Sequence, residues 1–231
     1  MQIGVVNKSS TLSATALAFI VDAWDRQAKE FADDWGVPYT PVVLYDTENG
    51  LPTDTGEVRL LTIQDVLDAP DALGYHDDVL GVIFARILAD NNAEAGPHEV
   101  CEEEGDPTCD LWMPMGDGRE VAKESCDPVE GDSYDQEATV GDETRQVPVS
   151  NYVLPSWFDP NGKAPYDKKG LLKAPLTMTP GGYMIVRDAA GDVEDVFAQN
   201  RRVEPGGEEG RLMAERKKAR PDSRLARRLR G

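Results

Sequence analysis

Histidine is scarce in this chain: 231 residues contain only His76 and His98. Cysteine is nearly as rare, and Cys101, Cys109 and Cys126 all fall in one central stretch. An odd number of thiols makes a poor disulfide framework, which argues against a stapled secreted domain and predicts a reducing compartment. Apolar runs are short, and none approaches the ~18 residues needed to span a bilayer. No basic segment leads into an apolar stretch at the N-terminus, so the expectation is a soluble protein with no leader and no membrane partner. Positive charge is also in short supply: 24 Lys and Arg stand against 43 Asp and Glu, giving a net charge of −19. Such a body repels nucleic acid and anionic lipid.

The acidity that is present is concentrated. Residues 94–143 hold seventeen Asp and Glu against Arg119 and Lys123, whereas residues 211–231 hold nine Lys and Arg against Glu215 and Asp222. The chain is thus expected to form one α+β domain over residues 1–205, with an acidic insert at 94–143 and a basic, flexible tail at 206–231. A solvated acidic surface, as in a salt-rich setting, is the simplest reading of the insert. The tail carries Arg224, Arg227, Arg228 and Arg230 as candidate nucleic-acid contacts, because charge is clustered there with too few apolar residues to build a core.

Periodicity predicts the first half in some detail. Gln2–Asn7 reads as a strand. Ser13 is placed to cap a helix in which Leu17, Ile20, Val21, Trp24, Ala28 and Phe31 form one apolar stripe, with Gly36 to end it. Val42–Tyr45, Arg59–Ile63 and Gly81–Leu88 read as further strands. In the second half, Asn151–Pro160 reads as a strand running into an aromatic turn. Leu176–Val186 reads as a hairpin turning at Pro180-Gly181-Gly182, and Gly191-Asp192 marks a turn before a last strand at Val193–Phe197. Gly181-Gly182 lacks the lysine and following helix of a phosphate loop, which excludes nucleotide binding there.

The chemistry is concentrated in Pro97-His98-Glu99-Val100-Cys101-Glu102. On a helix, His98 and Glu102 stand at i and i+4, so an imidazole and a carboxylate converge as metal ligands. Glu99 is then the candidate catalytic base toward a water. Pro97 is expected at the first helical position and Gly105-Asp106-Pro107 at the end, giving a short metal-site helix. Asp127, Glu124 and Asp106 are the candidates for a further ligand, with zinc as the cation or calcium as the alternative for so oxygen-rich a set. His76 and Asp77, in Gly74-Tyr75-His76-Asp77, are candidates to line a cleft from a loop before the strand, as is Cys126 beside Asp127.

Taken together, Asp33–Val37, Ala72–Asp77, His98-Glu99-x-x-Glu102 with Asp106-Pro107, Glu124–Glu130, Val149–Phe158 and Pro180–Tyr183 resemble a little-characterised family of zincin-like proteins from bacteria and tailed phages. The resemblance spans about residues 30–200; Pro97 departs from the small polar residue that precedes the histidine there. It implies a metallopeptidase-like α+β fold, with a mixed sheet, an N-terminal amphipathic helix, the metal-site helix and a hairpin-rich C-terminal part. It also implies a zinc-dependent, peptidase-like hydrolase or a degenerate relative of one. The alternative is a phage virion or assembly component that uses the fold as a scaffold, its basic tail toward DNA. The partners expected are virion proteins or further copies of the chain, and the location the host cytoplasm or the virion.

Overall fold

The computed structural model describes residues 1–46, 58–67, 73–79 and 82–198. The basic tail, with Arg224, Arg227, Arg228 and Arg230, lies outside the described residues. Among the described residues the architecture is α+β, with two α-helices and three sheets.

The largest sheet has five strands: β1 (Gln2–Asn7), β2 (Val42–Tyr45), β3 (Val58–Gln64), β4 (Gly74–Val79) and β5 (Val82–Leu88), in the spatial order β2-β1-β3-β5-β4. All neighbours are parallel except β4, which runs antiparallel to β5. Helix α1 (Ala14–Trp35) makes the crossover from β1 to β2. Ser13 caps it, its side chain accepting from the Ala16 amide, and Gly36 closes it in the left-handed region at φ 65°. Leu17, Val21, Trp24 and Ala28 pack against Ile3, Val5, Leu61, Ile63, Ala85 and Ile87 of the sheet. The near-continuous apolar runs in β1, β3 and β5 are what a buried parallel sheet requires.

Helix α2 (Asn92–Gly105) follows β5 through a 3₁₀ turn at Ala89–Asn91. It begins about one and a half turns earlier than expected, so residues 92–96 are helical and Pro97 sits inside the helix. Pro97 is the sixth residue of α2, past the four amides that lack an intrahelical carbonyl, so it costs the helix one bond, to the Ala93 carbonyl. Gly96 permits close packing onto α1, since a Cβ there would overlap the Trp24 ring.

Residues 94–143, read from composition as an acidic insert, supply α2, β6 (Trp112–Pro114), β7 (Glu120–Ala122) and β8 (Ser133–Val140). β8 pairs with β9 (Glu143–Ser150) in a hairpin whose Ala138, Val147 and Val149 join the main core. β6 and β7 form a four-stranded sheet with β10 (Tyr183–Arg187) and β11 (Val193–Phe197), in the order β11-β10-β7-β6.

Two expectations for the second half fail. The strand expected at the start of Asn151–Pro160 is absent, Val153 making only an isolated bridge to Asp167, while the aromatic turn that was to follow it is present as a 3₁₀ turn at Pro155–Trp157. The hairpin lies at 183–197, turning at 188–192, instead of at 176–186. Gly181 and Gly182 serve another purpose, because a Cβ at either would collide with a backbone carbonyl, of Glu130 or of Pro128. The pair lets the chain press directly against residues 127–131. Among the described residues no helix is long and apolar enough to cross a membrane.

Candidate metal centre

Three elements meet at one point: the middle of α2, the edge strand β4 and the turn around Asp127–Val129. Side chains alternate along β4, so Gly74 and His76 share the face toward α2. Gly74 is what admits the helix, since an added Cβ would stand 3.0 Å from Ala95 Cβ and 3.1 Å from Glu99 Oε1. The turn is tied to the helix by the Cys126 amide, which donates to Glu102 Oε1 at 3.4 Å. Behind it, Cys101 and Cys126 are buried with Phe31 and Tyr152 in an apolar cluster. All three cysteines are free thiols.

Glu102 is the hub. Its Oε1 lies 3.1 Å from His98 Nε2 and its Oε2 lies 3.5 Å from His76 Nδ1, with the side chain 1% exposed. Asp127 Oδ1 approaches the same His98 nitrogen from another side, at 3.3 Å. His76 Nδ1 donates to Glu99 Oε2 at 2.8 Å, and its Nε2 lies 4.0 Å from Glu124 Oε2. The ligand-type atoms fall into two groups of three, His98 with Glu99 and Glu102, and His76 with Glu102 and Glu124, each within 4.8 Å of one another.

The electrostatics follow from crowding carboxylates into a dry site. Burial pushes the Glu102 carboxyl up to about 7; His98 pulls it down, while Asp127 and Glu124 push it further up. For His98, burial disfavours the imidazolium, but Glu102, Asp127 and Cys126 more than compensate and its pKa lies well above the ordinary value. At His76 burial is likewise outweighed, by Cys109 and Glu99.

His98 and Glu102 stand together as their helical spacing predicts, with Glu124 and Asp127 beside them. Asp106 does not join. Its two carboxylate oxygens accept the Asp110 and Leu111 amides at 3.1 and 3.0 Å, closing the turn after α2. His76 is not on a loop: it sits on β4 and inside the cluster, 3% exposed. Asp77 is the next residue of that strand, paired with Phe84. Composition gave no sign that the run Glu102-Glu103-Glu104 is buried entire. Glu103 is fully buried, with His76 and Arg59 as its nearby positive groups, and Glu104 accepts the Thr40 amide at 2.7 Å. The one available signal was the short spacing between Gly74 and His76, which places a glycine and a histidine on one strand face. Comparison with known proteins gives no match, whether to a family model, to a curated protein or to a solved structure.

Proposed function

We propose that this cluster is a metal centre and that the protein is a metal-dependent hydrolase of the zincin-like, peptidase type. The observation that carries the reading is His98 Nε2, a nitrogen with at most one proton, facing two buried carboxylates at 3.1 and 3.3 Å. One N–H cannot satisfy both, whereas a cation can. Ligands of a tetrahedral zinc stand about 3.3 Å apart for bonds of ~2.0 Å, so the spacing suits such an ion.

His98 and Glu102 would hold the cation, with Asp127 adjoining; zinc fits the imidazole, and the acids also accept a harder ion. The cation would supply Lewis acidity toward a scissile carbonyl. Glu99, one residue from His98 and within the same group of ligand-type atoms, takes the proton of the attacking water. His76 orients Glu99 through the Nδ1–H bond, leaving its second oxygen to act. β4 ends the sheet and, among the described residues, pairs with β5 alone. Its outer edge therefore offers an extended peptide a row of backbone groups beside the cluster.

Digestion of an unbiased peptide library by the parent and by Glu99→Gln, at matched metal content, tests the reading. Turnover should fall at least ~100-fold with the base removed. Equal cleavage by both proteins would overturn the assignment of Glu99. Silence from the parent at every metal loading would overturn the hydrolase and leave the scaffold alternative.

A further inference from the structure

We infer that the centre has room for two cations, the second held between His76 and Glu124, with Glu102 as the carboxylate shared by both positions. This rests on the metal-centre reading above but goes beyond it, since that reading needs only one ion.

The tautomer of His76 comes first. Its Nδ1 donates to Glu99 Oε2 at 2.8 Å, which in the neutral ring leaves the lone pair on Nε2. A carboxylate fixing one imidazole nitrogen so that the other can bind a cation is the usual outer support of a metal-ligating histidine. Nε2 is buried and meets no hydrogen-bond partner, and the whole side chain is 3% exposed. It faces Glu124 Oε2, at 4.0 Å, on a side chain 2% exposed, with the Cys109 thiol also against the ring. The gap to Glu124 is too wide for a hydrogen bond, and a cation about 2.1 Å from each atom would hold them at an angle wider than tetrahedral, as five- and six-coordinate sites allow. A cation placed between them would take the ring nitrogen and the carboxylate into one coordination sphere.

Glu102 supplies the link. One ligand atom from each of His76, Glu102 and Glu124 lies within 4.8 Å of the others, and the same is true of His98, Glu99 and Glu102. The two groups share Glu102 alone, and its two oxygens diverge, Oε1 to His98 and Oε2 to His76. A carboxylate placed this way bridges two ions, as in hydrolytic sites whose metals stand about 3.5–4 Å apart. One imidazole with two carboxylates favours a divalent first-row ion, Zn²⁺ or Mn²⁺.

The test is the number of ions. The full chain, stripped of metal and dialysed against Zn²⁺, should hold two equivalents, and His76→Gln and Glu124→Gln should each hold one, with circular dichroism to check their fold. One equivalent in the parent, or two in His76→Gln, overturns the second position while leaving the first intact. No zinc at all overturns both. If the variants fail to fold, the parent decides alone: loaded with Co²⁺, it should show the damped paramagnetic signal of a coupled pair, whereas an isolated-ion signal at saturation overturns the inference.

Discussion

The two faces of α2 show two ways of using a buried side chain. Toward α1 and the sheet, Ala95 and Val100 join Trp24, Leu61 and Ile87 in an apolar core whose contacts need no partner of special chemistry. Toward β4 and the 127–129 turn, Glu99, Glu102 and Glu103 are buried as deeply, among histidines and other acids. Burying apolar area stabilises at roughly 25 cal/mol per Å². Burying a carboxylate costs free energy unless a partner offsets it. The first face therefore supports the fold, and the second is retained at its expense, as expected of a functional site.

Truncation should separate them. Trp24→Ala, at a fully buried ring in contact with Gly96, should lower stability by about 3–5 kcal/mol, read by denaturant unfolding. A loss under ~1 kcal/mol would mean that α2 does not depend on that packing.

The next largest effect concerns pH. Burial pushes the Glu103 carboxyl up to about 7 against an ordinary 4.5, with His76 and Arg59 offsetting part of the rise. A group whose folded pKa is raised favours the folded state fully below its unfolded pKa, and that contribution is lost as pH rises through the folded value. The metal-free protein should thus lose stability between about pH 4.5 and 7, where Glu103 and Glu102, both pushed up to about 7, ionise. Glu103→Gln should flatten that slope, measured as Tm against pH; an unchanged slope would show that Glu103 is not the group responsible.

The smallest effect belongs to charges in water. Glu143 pairs with Arg145 at 2.6 Å on the rim of the β8–β9 hairpin, both side chains about half exposed. Glu143→Ala, which removes the pair and leaves Arg145 over the Phe19 ring, should change stability by no more than ~1 kcal/mol.

The sequence made one face of α2 legible and hid the other. Alternation and three- or four-residue steps placed β1, α1, β2, β3 and β5, because apolar burial imposes a period on the chain. The i, i+4 pair His98 and Glu102 was readable for the same reason. What was missed depends on contacts distant in sequence. β4 was taken for a loop because Gly74, His76 and two aspartates do not alternate as apolar and polar residues; the strand exists to bring His76 to α2, 23 residues away from Glu99. The acidic segment 94–143 reads as solvated surface apart from its candidate ligands, because composition counts charge without saying what covers it, so the burial of Glu103 and Glu104 beside Glu102 stays hidden. Pro97 was taken as a helix start, though the structure already has a helical turn before it. The Gly181-Gly182 pair suggested a turn, whereas its glycines allow close contact with the backbone at 128–130.

The central claim, that this buried acid–imidazole cluster exists to hold metal, is tested most directly by thermal unfolding at pH 8 with and without Zn²⁺, in the parent and in His98→Ala. An ion bound only by the folded state stabilises it by about 2.7 kcal/mol at a hundredfold excess over Kd, a rise in Tm of roughly 5–10 °C for a chain of this size. The account predicts that rise in the parent and its loss in His98→Ala. An unchanged Tm in the parent, or an equal rise in both proteins, would contradict it.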